Sequence, residues 1–86
     1  MYYVYILKCA DNTLYTGITI DIARREKEHN ESPLGAKYTK ARRPVKVVYR
    51  KKFKTRSEAL AEECRIKKMP RKEKLDLIKN AENKDN

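Results

Sequence analysis

Five side chains in this sequence are of types that could work together on a phosphodiester: the phenols of Tyr5 and Tyr15, the guanidinium of Arg25, the imidazole of His29 and the carboxylate of Glu63. Hydrolysis of such a bond needs an activated water, neutralised charge on the phosphoryl oxygens and help for the leaving alkoxide. A planar guanidinium matches two phosphate oxygens, and one carboxylate can hold a single Mg²⁺ or Mn²⁺ that keeps several of its waters. A phenol is a poor base as it stands. At a pKa of about 10 roughly 0.1% is ionised at pH 7, and lowering that pKa by three units takes about 4 kcal/mol. Arg25 and a divalent cation beside Tyr5 or Tyr15 could supply it. His29 could share the proton transfer or only hydrogen-bond a phenol or a phosphate. Each group also has a bland account: tyrosines that pack, an arginine bridging an acid, a histidine at a helix end, and Glu63 paired with Arg25 or a lysine.

These groups are useful only if the elements carrying them converge. Residues 2–9, YYVYILKC, are β-branched and aromatic, with Tyr3, Tyr5, Leu7 and Cys9 on one face and Tyr2, Val4, Ile6 and Lys8 on the other. Apolar groups on both faces predict a central strand. Ala10–Thr13 supplies Asp and Asn for a turn, and Leu14–Ile18 returns as the second strand of a hairpin. Gly17, near its end, permits a bulge or the close approach of something to the backbone, nucleic acid being the candidate. Asp21 is a good N-cap for a helix through about Asn30. Ile22, Arg25 and His29 share a face of that helix, which otherwise has few apolar residues to anchor it.

Residues 31–45 contain Pro33, Gly35 and Pro44 and predict a loop with one short helical turn. In it Lys37, Lys40, Arg42 and Arg43 surround Tyr38 and Thr39, a mixture suited to phosphate contact and base stacking. Lys46–Phe53 reads as a charged edge strand, Val47, Tyr49 and Lys51 alternating against Val48 and Arg50. Thr55 and Glu58 form a capping box, each side chain meeting a backbone donor of a helix that runs to Lys68 or Met69. At about 100° per residue, Ala59, Leu60, Cys64 and Ile66 make its apolar sector, with Glu63 near the middle and Glu62 well to one side. An inward carboxylate must find a proton, a cation or a metal. Lys67, one turn on, is a further phosphate candidate. Pro70 opens a third helix, and residues 80–86 are expected to be a disordered tail, leaving one domain over 1–79.

With 86 residues there is room for one core, burying about 60% of the unfolded surface. Twenty-two Lys and Arg against twelve Asp and Glu give a charge of +10, a field that favours a polyanion, and nucleic acid before an acidic protein. No apolar run approaches a membrane span, and no helix pairs a basic face with a broad apolar one, so no membrane partner is expected and the location predicted is the cytoplasm. Cys9 and Cys64 belong to no zinc-binding spacing and read as two buried reduced thiols.

Tyr3-Val4-Tyr5 followed by Tyr15-Thr16-Gly17 resembles the paired signature of the GIY-YIG nuclease superfamily. The resemblance continues in an Arg ten residues after the second motif's Tyr (Arg25), a His four later (His29) and a helical Ala-Leu-x-x-Glu pattern reaching Glu63. The TGIT, EHN, GAKYT and RRPV segments and a late IKK are similar to the small stand-alone bacterial YhbQ-like group, over about residues 2–79. Tyr3 stands where the signature has its first Gly and Thr16 where it has Ile; the Asn near the C-terminal end of many members has no clear counterpart. The resemblance implies an α+β fold, a small three-stranded antiparallel sheet flanked by about three helices. It further implies a metal-dependent endonuclease using one Mg²⁺ or Mn²⁺ on Glu63, with Tyr15 slightly favoured over Tyr5 as base. DNA is expected before RNA, cut with structure selectivity or weak sequence preference, in repair or recombination. A monomer is expected in isolation, with a dimer on substrate as an option. The alternative is an accessory module that binds nucleic acid with little turnover.

Overall fold

The computed structural model describes residues 1–84, with side-chain surroundings given through residue 81. The chain runs β1 (Tyr2–Lys8), β2 (Leu14–Thr19), α1 (Ile22–Glu31), α2 (Lys37–Lys40), β3 (Lys46–Phe53), α3 (Arg56–Lys67) and α4 (Arg71–Lys84). The strands form one antiparallel sheet in the order β2-β1-β3, so the strand with two apolar faces is the central one. In the β1–β2 turn Asn12 adopts a left-handed φ of 68°, a conformation Asn tolerates. Asp11 caps the turn by accepting from the Thr13 amide and hydroxyl.

The two faces of β1 feed two cores. Val4 and Ile6 pack with Tyr49, Ala59, Ile66 and Ile78 beneath α3 and α4. Tyr5, Leu7 and Cys9 pack with Val45, Tyr15, Ile22 and Val47 on the other face. β3 slips register between Ile6, opposite Tyr49, and Leu7, opposite Val47. One extra residue, Val48, enters there, so Val47 and Tyr49 serve opposite cores and the simple alternation expected for this strand does not hold.

Helix α1 solves its shortage of apolar anchors with polar ones. Asp21 accepts from the Arg24 amide as N-cap. Asn30 pairs with Val45 like a strand, donating to its carbonyl at 2.9 Å and accepting from its amide at 2.7 Å, and Glu26 accepts from the Val47 amide. Each bond satisfies backbone on β3 or just before it, so α1 is pinned to that side of the sheet. At α3, the Thr55 hydroxyl accepts from the Glu58 amide as expected, but the Glu58 carboxylate accepts from the Thr55 hydroxyl and not from a backbone amide.

Three expectations about the C-terminal half change. The inward stripe of α3 is Ala59, Glu62, Glu63 and Ile66, at i, i+3, i+4 and i+7; Cys64 is exposed, so only Cys9 is a buried thiol. Glu62 is no less covered than Glu63, its side chain 11% exposed against 16%. Helix α4 continues to Lys84 instead of stopping at 79, because Ala81 still packs on the core beneath it. The remainder of the expected tail, residues 85–86, lies outside the described residues. Among the described residues no helix is long and apolar enough to cross a membrane.

Candidate active site

Tyr5 is the hub. On β1 it lies opposite Gly17 of β2, and a Cβ on Gly17 would stand 2.5 Å from the phenol oxygen. The group that approaches the Gly17 backbone is therefore the Tyr5 ring, not a nucleic acid. The ring is 2% exposed. Its hydroxyl meets His29 Nε2 at 2.9 Å, the Arg25 guanidinium stands beside it without making an aligned hydrogen bond, and the charges of Tyr15 and Glu63 reach it. Burial pushes its pKa up to about 12, Arg25 pulling the other way and Tyr15 and Glu63 adding to the rise. At rest Tyr5 is thus protonated, the reverse of what a base requires.

His29 is fully buried at the C-terminal end of α1. Nε2 faces Tyr5 and Nδ1 faces the Thr39 hydroxyl at 2.8 Å, so both nitrogens are spent within the protein. Burial first, then the cations of Arg25 and Arg43 against the opposing pull of Glu28, lowers its pKa to about 4. The imidazole is neutral at pH 7. Tyr15 packs edge-on to the same ring, centroids 5.3 Å apart, and stacks on Tyr38 at 6.0 Å.

Arg25 donates to Glu28 Oε1 and to the Leu34 carbonyl, both at 2.9 Å. Burial disfavours its charge, but Glu28 and Tyr5 outweigh that and hold its pKa above the ordinary value. Glu28 was not singled out from sequence, although its place three residues after Arg25 is the signal that could have found it. Glu63 comes from α3, its partly buried carboxylate 3.5 Å from Lys67 Nζ. Four elements, β1, β2, α1 and α3, therefore bring Tyr5, Tyr15, Arg25, His29 and Glu63 together.

The loop cations divide. Lys37 is exposed and fit to meet a phosphate. Arg43 is not: it donates to the carbonyls of His29 and Ser32, both at 2.6 Å, and approaches that of Glu28, closing the C-terminus of α1. Gly35 lets the loop cross there, since a Cβ would stand 2.7 Å from the Glu28 carbonyl. Arg42 donates to the Tyr38 carbonyl, lies 3.0 Å from Asp11 without hydrogen-bond alignment, and covers the Tyr38 ring at 3.8 Å. That ring is stacked by Tyr15 and Arg42 from within the protein, yet stays 38% exposed. Thr39 has no exposed surface and bonds His29, so phosphate contact is closed to it.

Among the described residues no three His, Cys, Asp or Glu side chains form a ready metal cage. The donor set fits a sparser mode. One shielded carboxylate, Glu63, suits a hard cation such as Mg²⁺ that retains water and takes phosphate oxygen as a further ligand.

Comparison with known proteins gives the family and the fold. A UPF0213 protein of Syntrophus aciditrophicus is 57% identical over 77 residues, covering 90% of this chain and 88% of its own. One from Listeria innocua is 49% identical over 81 residues, covering 94% and 89%. The solution NMR structure of the UPF0213 protein of Bacillus halodurans is 42% identical, covers 92% of this chain and 84% of that one, and superposes with a TM-score of 0.59. The family model for the GIY-YIG catalytic domain matches residues 1–76, which span every side chain of the cluster around Tyr5, and the chain belongs to that family of nuclease domains.

Proposed function

We propose that this protein is an endonuclease hydrolysing phosphodiester bonds in DNA with one divalent cation, selective for structure or weakly for sequence, and used in repair or recombination. The observation that supports it is the crowding of Arg25, Tyr15 and Glu63 around the buried phenol of Tyr5. Independent packing roles would not gather these types from four elements. Glu63 would hold Mg²⁺ or Mn²⁺, which when bound supplies positive charge to the phosphoryl oxygens. Arg25, preset by Glu28, pairs with the scissile phosphate through its fork. Tyr15 takes the proton of the attacking water or orients it, the assignment favoured because the Tyr5 hydroxyl is engaged by His29 and raised in pKa. Gly17 makes room for Tyr5, while Lys37 and Lys67 meet flanking phosphates. His29 holds Tyr5 and does not reach substrate.

A panel of single strands, duplexes, forks and junctions, incubated with Mg²⁺ or Mn²⁺, tests this reading. Glu63→Ala and Arg25→Ala should abolish nicking and leave binding within a few fold; unchanged cleavage in either rejects the site. The resting state of Tyr5 favours a second reading, a binding module without useful turnover. It predicts salt-sensitive binding and no products on any DNA or RNA, even in Mn²⁺.

A further inference from the structure

Thr39 is buried, bears no charge, and sits at the far side of His29 from Tyr5. We infer that Thr39 is a positioning residue: by fixing the proton of His29 on Nδ1 it forces the Tyr5 hydroxyl to donate to Nε2, so that the Tyr5 oxygen turns only lone pairs to Arg25. The inference deepens the hydrolytic reading above and rests on it for its consequence.

Two contacts decide the tautomer. The Thr39 Oγ1 lies 2.9 Å from the Ala36 carbonyl oxygen. Two oxygens that close need a proton between them, and only the Thr39 hydroxyl carries one. Having donated there, Oγ1 can only accept from His29, 2.8 Å away, so Nδ1 bears the hydrogen. The Ala36 amide is also within hydrogen-bond reach of Nδ1, at 3.4 Å, but it is the longest of the three contacts and yields to the pair at 2.8 and 2.9 Å. At the other end, Nε2 without a proton accepts from Tyr5 at 2.9 Å. The opposite tautomer would aim Nε2–H at the Tyr5 oxygen, already beside the donors of Arg25. The Tyr5 proton would then have no acceptor among the described residues. A single chain of donors satisfies the three side chains: Tyr5 O–H to Nε2, Nδ1–H to Thr39, Thr39 O–H to the Ala36 carbonyl.

The direction of that chain matters to Arg25, whose guanidinium stands beside the Tyr5 oxygen. An oxygen presenting lone pairs attracts the guanidinium and helps fix the fork that pairs with the scissile phosphate, while Tyr15 attends to the water. A Tyr5 that turned its proton toward Arg25 would push the fork away instead. Which imidazole nitrogen carries the proton is set by the partner of the other, and here that partner is Thr39.

The test begins with ¹⁵N NMR of the single histidine in the wild-type protein at pH 7. Protonated Nδ1 and bare Nε2 are expected; the reverse overturns the inference whatever the enzyme does. Thr39→Val keeps shape and loses the acceptor, and should move the proton to Nε2 and lower kcat roughly 10–100-fold with KM little changed. Thr39→Ser should restore both tautomer and rate. A Thr39→Val protein that cleaves like wild type, or a Thr39→Ser protein that behaves like Thr39→Val, overturns it. If the wild type cuts nothing, the hydrolytic reading fails, while the NMR result alone still decides the tautomer and Thr39's hold on it.

Discussion

His29 shows at the scale of one residue how a site is held ready at a cost in stability. Its pKa is about 4 in the fold and about 6.5 when the chain is unfolded. Between those values the unfolded chain binds a proton that the native imidazole refuses, so stability is complete above pH 6.5 and falls as the pH drops toward 4. A shift of about 2.5 units amounts to about 3 kcal/mol. The chain has one histidine, so the upper part of this window belongs to it alone. Urea unfolding at pH 7.0 and 5.0 should show the loss, and His29→Gln should flatten the dependence. An equal slope in that variant would mean that the imidazole accepts a proton in place. That His29 shares a helix face with Arg25 and turns toward the sheet was legible in the sequence, from the four-residue spacing. Its partner Thr39 was legible only as a hydroxyl among cations, because nothing in a loop sequence says which side of the backbone becomes buried.

Among the elements, the β1–β2 pair sets the position of Tyr5, and Gly17 is its narrowest point. The φ of Gly17 is not positive, so the residue is needed for space and not for conformational freedom. In Gly17→Ala the new methyl would meet a ring that is 2% exposed and tied to His29, with no open direction to retreat. Overpacking of this kind costs about 1–3 kcal/mol. Denaturant midpoints should fall accordingly, with cleavage falling further because Tyr5 leaves His29. Undiminished stability would show that the ring is free to move and the register across the hairpin unimportant. The hairpin, the central strand and the helix caps could be read from alternation and capping residues because those signals are local. The packing face of α3 could not be read so well. Its stripe contains Glu62 and Glu63 while Cys64 lies outside it, so hydrophobicity does not mark the inward side. Spacing turns Glu63 inward and Glu62 aside, whereas the structure covers both, because Glu62 is stabilised there by Arg65, whose bond holds its carboxyl below the usual range, assisted by Lys51.

For the whole molecule, a charge of +10 says that a polyanion is attracted but not which cations meet it. Much of the arginine is committed to folding. Arg43 closes α1, Arg42 serves Tyr38 and Asp11, Arg65 holds Glu62, and Arg71 donates to the Asn12 carbonyl, tying α4 to the β1–β2 turn. The side chains of Lys37 and Lys40, by contrast, make no hydrogen bond or ion pair among the described residues and stand exposed beside the site. The sequence placed all four loop cations in one class, since charge and spacing are alike for a cation that caps a helix and one that meets a phosphate. Salt separates them. Each phosphate neutralised on duplex DNA contributes about 0.9 to the slope of log K against log salt. Lys37→Ala should lower that slope by about this amount and leave the melting temperature unchanged. Arg43→Ala should do the opposite, stranding carbonyls at the end of α1 for about 1–3 kcal/mol and lowering Tm by roughly 4–8 °C for each of them, at constant slope. If Arg43→Ala changed the slope and not the Tm, its bonds to α1 would be incidental, and the basic loop would be a phosphate-binding surface throughout.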